Sequence, residues 1–241
     1  MKHEWLERTE MLIGGEALKK LQSSRVLIVG LGGVGAYAAE MICRAGTGSM
    51  TIIDGDNIHT SNINRQLLAL NSTLGIKKTE LMASRLLDIN PDLKLNLISE
   101  YIRGDRLPEI LEEEYDYVVD AIDTLAPKIF LIWHALQRKY KLVSSMGSGG
   151  KTDPTKIRIT DISETTDCNL ARILRKRLHR LGVRDGFTAV FSPETIDKKK
   201  IVPTTGEQNK ASVVGTISYM PAAFGIACAS VVIRDLAGIK R

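Results

Sequence analysis

The polar stretch DGDNIHTSNINRQ, residues 54–66, gathers Asp54, Asp56, Asn62, Asn64, Arg65 and Gln66, and Lys78 follows in LGIKKTE. Upstream, VGLGGVGAYAAEM at 29–41 spaces Gly30, Gly32 and Gly35 as G-x-G-x-x-G straight after the apolar run VLIV, with Gly33 between them. Glycines at this spacing say only that some backbone approaches some phosphate. Their surroundings say which phosphate. Asp54, about twenty residues beyond the glycines, suits a ribose hydroxyl, and NAD and ATP fit that equally well. Arg65 and Lys78 do not fit both, because a shared pyrophosphate is satisfied by helix N-terminal amides whereas a triphosphate calls for added cations. Further on, VVDAIDTLAPK holds Asp120 and Asp123. A carboxylate there suits Mg²⁺, which binds one or two protein carboxylates together with phosphate oxygens. Asp123 is the expected metal ligand and Asp120 the hydrogen-bonding structural group, with the reverse assignment left open.

Such residues need a scaffold that brings loops together. Short apolar runs alternate with helical periodicity: RVLIVG then 33–45, SMTIID then about 74–90, LKLNLIS then about 105–113, YDYVVDAI then 125–140, and KLVSS. The alternation predicts an α/β fold, a Rossmann-like, doubly wound and mainly parallel sheet. Open sheets of this kind bind ligands beyond the carboxyl ends of their strands, where the glycine turn, Asp54 and Asp123 would meet. Residues 1–150 read as the nucleotide-binding region and 151–241 as a crossover and substrate-binding extension of the same domain. The extension holds KIRITDI, a basic helical stretch at 168–181, FTAVFS, the segment DKKK with Lys198, Lys199 and Lys200, and a final apolar helix started by Pro221 and closed by Gly238.

Composition bounds the function. The chain has 241 residues, 44% hydrophobic and 25% charged, which suits one large α/β domain. Nothing near Met1 pairs a basic start with an apolar run, and no stretch reaches roughly 18 uninterrupted apolar residues, so the cytoplasm is expected and a membrane partner is not. Cys43, Cys168 and Cys228 lie too far apart for a disulfide framework or a Cys-x-x-Cys zinc pair. Cys43 and Cys228 read as core residues. Cys168 starts a helix, which favours a thiolate, yet no histidine precedes His179 nearby, so no nucleophilic role is expected. The net charge of +5 is concentrated in CNLARILRKRLHRLGVR, which carries Arg172, Arg175, Lys176, Arg177, Arg180 and Arg184 and no acid. That concentration predicts contact with a nucleic-acid backbone. Arg172, Lys176 and Arg180 share one side, opposite a stripe of Leu170, Ile173, Leu174, Leu178 and Leu181.

GLGGVG, DGDNIHTSNINRQ, GIKKTE and DAID, in this order, resemble the ATP-binding half of the ubiquitin-activating-enzyme-like superfamily over about residues 6–145. The resemblance implies an enzyme that adenylates a carboxylate, releases pyrophosphate and works as a homodimer. It implies that Gly33 approaches the nucleotide, Asp54 binds ribose, Asn62, Arg65 and Gln66 line the phosphates, Lys78 contacts them and Asp123 holds Mg²⁺. RTEMLIGGEALKKL at 8–21 is similar to the segment whose arginine enters the partner subunit's site, and Arg8 matches that arginine.

GSGGKTDPTKIRITDIS, the basic helix and the VFSPE run resemble the tRNA-modifying dehydratase branch, which extends the likeness to almost the whole chain. The implied reaction activates the threonyl carboxylate of a modified adenosine in tRNA as an acyl-AMP, then closes a ring by attack from within the side chain, with net loss of one water. A high effective concentration of the internal nucleophile removes any need for a protein thiol. The alternative is activation of a ubiquitin-like sulfur carrier's C-terminal glycine; activators of that kind often hold zinc in Cys-x-x-Cys pairs that this chain lacks. The resemblance also admits a sulfur-transfer protein as a partner.

Overall fold

Each apolar run becomes a strand because Val, Ile and Leu fill a sheet covered on both faces. The computed structural model describes residues 4–102, 106–196, 201–203 and 212–239; Lys198, Lys199 and Lys200 lie outside the described residues. In order, α1 (Glu7–Ile13) and α2 (Gly15–Ser23) lead into β1 (Arg25–Val29), α3 (Gly35–Arg44), β2 (Ser49–Ile53), α4 (Lys78–Ile89) and β3 (Lys94–Ile98). Then come α5 (Arg106–Ile110), β4 (Tyr117–Asp120), α6 (Leu125–Gln137) and β5 (Lys141–Ser145). The remainder gives β6 (Arg158–Asp161), α7 (Asn169–His179), β7 (Thr188–Phe191), a hairpin of β8 (Ile201–Pro203) and β9 (Ser212–Val214), and α8 (Tyr219–Ala237).

The strand order is β3-β2-β1-β4-β5-β7-β6, parallel except for β6 against β7. The predicted doubly wound sheet is present, and the extension contributes β6 and β7 to it. Register decides the site: Val29 pairs with Ile53 on one side and Asp120 on the other. Gly30, Asp54 and Ala121 therefore leave the sheet in one row. One core, with Ile42, Met82 and Phe224, lies under α3, α4 and α8; the other, with Leu107, Ile132 and Leu174, lies under α5, α6 and α7.

Several local details differ from the sequence reading. α8 begins at Tyr219, two residues before Pro221, because a first-turn proline removes an N–H that has no helical partner anyway. Gly238 closes it in the left-handed conformation, φ +72°. α4 begins at Lys78, since the chain before it is occupied by turns that bridge Lys77 to Asn57. On α7 the buried residues are Ala171, Leu174 and Leu178, whereas Leu181 is exposed beyond the helix end. Among the described residues α8 alone has the length and apolarity of a membrane span; half of its apolar window is buried, with Phe224, Cys228 and Val232 in the core.

Candidate nucleotide and carboxylate site

Two glycines set the floor of the site. Gly30 turns at φ +93°, where a side chain would stand 2.8 Å from the Ala121 carbonyl oxygen. At Gly35, the first residue of α3, a Cβ would fall 1.7 Å from the Gly30 carbonyl oxygen. The turn thus closes tightly and aims the first amides of α3 at the space beyond the strands, an arrangement that attracts anions. At Gly32 the nearest atom to an added Cβ would be Gln66 Nε2, 3.8 Å away, so that face of the turn is open. Gly33 is closed on one side by Pro221 of α8 and the Arg65 carbonyl.

Asp54 follows β2 with its carboxylate largely buried. Its Oδ2 accepts from the Leu31 N–H at 2.6 Å and its Oδ1 from the Asp56 N–H at 2.8 Å. Burial still pushes its pKa above the ordinary aspartate value, against the pull of Lys78 and these two amides. The buried Lys78 ammonium at the start of α4 stands 2.7 Å from Asp56 Oδ2 and 3.8 Å from Asp54 Oδ1. Asp56 Oδ1 also accepts from the Tyr101 hydroxyl.

The segment between them is braced by its own side chains. Asn62 Oδ1 accepts from the His59 N–H at 3.1 Å. Arg65 donates to the Ser61 carbonyl at 2.7 Å and to Asn64 Oδ1 at 2.8 Å, while Asn64 Nδ2 donates to the Thr216 carbonyl at 3.1 Å. That last bond ties the polar segment to the chain leading into α8. Gln66 Oε1 is buried without a hydrogen-bond partner among the described residues, next to the open side of Gly32.

At the end of β4 the two aspartates separate. Asp120 is fully buried; its Oδ2 meets Lys128 Nζ and Ser144 Oγ, both at 2.5 Å, and its Oδ1 accepts from the Ile122 N–H at 3.1 Å. Asp123 is exposed on the loop beyond. Lys128 escapes sequence reading because lysines are seldom buried; its place in the first turns of the helix after DAID is the available signal.

Of the remaining expected residues, Arg8 is exposed on α1, which packs on α2. Arg172 and Lys176 are exposed on α7 and Arg180 just after its end, Arg172 also donating to Asn169 Oδ1 at 2.7 Å. Arg175 instead turns inward, donating to the Thr165 carbonyl at 2.7 Å and to its hydroxyl. Cys168 precedes α7 and is packed into the core with Leu174 and Phe191.

An open glycine turn at a helix start, a lysine paired with a carboxylate and two acidic loops in one row are equipment for a nucleotide and its phosphates. Comparison with known proteins identifies the family. The ThiF family model matches residues 6–241. A tRNA threonylcarbamoyladenosine dehydratase of Bacillus subtilis is 40% identical over 81% of this chain and 76% of its own. One from Escherichia coli is 34% identical over 96% of this chain and 94% of its own. A crystal structure of the Escherichia coli tRNA N6-threonylcarbamoyladenosine dehydratase in complex with ATP superposes with a TM-score of 0.89 at 33% identity, covering 98% of this chain and 94% of that one. The chain belongs to the ThiF family, in the branch of the tRNA threonylcarbamoyladenosine dehydratases.

Proposed function

We propose that this protein is an ATP-dependent enzyme of tRNA modification that dehydrates threonylcarbamoyladenosine to its cyclic form through adenylation of the threonyl carboxylate. The observation that carries the reading is the row of Gly30, Asp54 and Ala121 fixed by strand register, with Lys78 and Asp123 beside it, in a chain alike over nearly its full length to dehydratases of that name. The glycine turn and the first amides of α3 receive the phosphates, and Asp54 accepts from the ribose hydroxyls. Arg65 and Lys78 stabilise the charge that builds on the phosphate as the substrate carboxylate attacks and pyrophosphate leaves. Asn62 and Gln66 line the phosphates, and Asp56 and Asn64 hold Lys78 and Arg65 in place. A nucleophile within the same modified side chain then attacks the acyl carbon, closing the ring as the bond to the phosphate oxygen breaks and AMP leaves.

Mg²⁺ belongs to this reading. Asp123, exposed on the loop after β4, is a hard oxygen donor of the kind that would hold Mg²⁺ together with phosphate oxygens. Bound there, the ion would supply positive charge against the leaving pyrophosphate. The exposed cations Arg172 and Lys176 of α7 and Arg180 at its end suit the tRNA backbone. A homodimer is also proposed: α1 leaves Met11 and Leu12 81% and 85% exposed near Arg8, apolar surface that a second copy would cover. A sulfur-transfer protein partner and a cytoplasmic location complete the proposal.

The test is to incubate the protein with ATP, Mg²⁺ and threonylcarbamoyl-modified tRNA and weigh the modified nucleoside. Loss of one water, with AMP and pyrophosphate formed, is expected. Unchanged nucleoside, together with ATP–pyrophosphate exchange that depends on a ubiquitin-like sulfur carrier, would replace the reading with the alternative activity.

A further inference from the structure

Lys128 and Asp120 form an ion pair at 2.5 Å with both residues fully buried. The ammonium has three acceptors: Asp120 Oδ2, Ser144 Oγ at 3.2 Å and the Ser145 carbonyl at 3.0 Å. Its three N–H groups are therefore all used. Ser144 Oγ donates to the same carboxylate oxygen, and the second oxygen takes the Ile122 N–H. One buried node thus joins the end of β4, the end of β5, the start of α6 and the loop that carries Asp123. The same loop is locked to the glycine turn, because the Ala121 N–H donates to the Val29 carbonyl at 2.9 Å and Gly30 packs on the Ala121 carbonyl.

Stability alone does not call for this chemistry. Two charges withdrawn from water incur a desolvation penalty that their attraction often fails to recover, and well-packed apolar residues commonly do as well. What apolar packing lacks is direction. Hydrogen bonds at fixed angles define one conformation of the loop 121–124, where a methyl group would tolerate several.

We infer that Lys128 is a positioning residue for adenylation: through Asp120 it holds the loop after β4 so that Asp123 and the glycine turn face the same phosphate. The inference rests on the functional reading above for the identity of that phosphate. Lys128 is fully buried with its ammonium spent on Asp120, Ser144 and Ser145, so it acts through the Asp120 carboxylate and the Ile122 amide.

The paired substitution Lys128→Met with Asp120→Asn removes both charges and leaves no buried ion alone. It is expected to melt within a few degrees of the unmodified protein. Its kcat for the ATP-dependent reaction should fall at least about thirtyfold with KM for ATP changed less than about threefold, and half-saturation by Mg²⁺ should need about ten times more ion. Hydrogen exchange of the peptide spanning 119–125 should speed up about tenfold, with the other strand-end loops unchanged. Should the pair not fold, Ser144→Ala keeps both charges and removes one bond to Oδ2; a kcat loss of about threefold to tenfold with faster exchange at 119–125 is expected there. A folded variant with normal kcat, normal Mg²⁺ requirement and normal exchange would reduce the node to a structural contact. The exchange readout needs no substrate, so failure of the unmodified protein to act on tRNA would count against the functional reading and leave the positioning claim to be judged by exchange.

Discussion

Lys78 Nζ lies 2.7 Å from Asp56 Oδ2, so the cation proposed to meet the phosphates is held by a carboxylate one loop away. Asp56 is half-exposed while Lys78 is buried, and the pair is therefore only partly shielded. Its members have different work to do, and substitution separates them. Lys78→Met leaves Asp54 and Asp56 facing each other and removes a positive charge from the phosphates; ATP affinity should weaken more than about tenfold and kcat about a hundredfold. Asp56→Asn keeps Lys78 beside Asp54, 3.8 Å away, and should change ATP affinity less than about fivefold. Calorimetry with ATP measures both, and equal losses would make Asp56 a nucleotide ligand in its own right.

Asp123 and Arg65 are the residues proposed to stand where charge develops. Asp123→Ala and Arg65→Ala should each remove roughly 3 kcal/mol of transition-state stabilisation, a fall in rate of about a hundredfold or more. Asp123 is exposed and Arg65 half-buried, and both lie on loops outside the core, so melting temperatures should stay close to that of the unmodified protein. Pyrophosphate release is the measurement. A near-normal rate from Asp123→Ala would transfer the metal to another group, and tight NAD binding indifferent to that substitution would end the ATP reading.

Cys168 tests whether catalysis needs a thiol. It packs among core residues, and Cys43 and Cys228 are pushed up to about 12 by burial, which leaves both as thiols at neutral pH. Cys168→Ser should retain most dehydration activity. Complete loss of product with ATP binding intact would restore a covalent acyl-enzyme route.

The legible part of the molecule is the part with period and burial. Val29, Ile53 and Val119 sit in short, mostly apolar runs, which is what a doubly covered parallel strand requires, and Gly30 and Gly35 leave no space for another residue. The illegible part turns on rotamers and neighbours distant in sequence. Arg172 and Arg175 belong to one basic stretch, yet one faces water and the other binds Thr165. Lys128 has the residue type of a surface cation and the environment of a core residue, because Asp120, Ser144 and Ser145 arrive from two strands. Nothing in a one-dimensional pattern marks such convergence.

Glu40 offers a stability test outside the site. Burial opposes its ionisation, but hydrogen bonds from Arg85 and Arg44 outweigh that cost and hold its pKa below the usual carboxylate value. A depressed acid contributes stability that is present above its unfolded pKa and lost as pH falls through the folded one. Glu40→Gln should therefore cost about 1 kcal/mol at neutral pH, a figure kept small because both arginines are half-exposed. The difference from the unmodified protein should shrink as the pH drops through and below the carboxylate range. Urea denaturation across a pH series measures it, and a pH-independent difference would assign the loss to packing between α3 and α4.

The basic face of α7 makes the last prediction. Ala171, Leu174 and Leu178 dock the helix on the core, which turns Arg172, Lys176 and Arg180 to water, and Arg175 is withdrawn to Thr165. A helix that presents its cations this way keeps them hydrated until a polyanion arrives and sheds the counterions condensed on it. Binding of tRNA should therefore weaken steeply with salt, and each contact removed should flatten the slope of log affinity against log salt by roughly one unit. Replacing Arg172, Lys176 and Arg180 together by Gln should reduce tRNA affinity and lower that slope by about three units at most, while affinity for free ATP stays within about twofold. The ATP result is expected because the proposed nucleotide contacts come from the loops after β1, β2 and β4, and none comes from α7. Both affinities measured across one salt series decide the matter. An unchanged slope in the triple variant would leave α7 as a solvated surface and move the tRNA contact elsewhere on the chain.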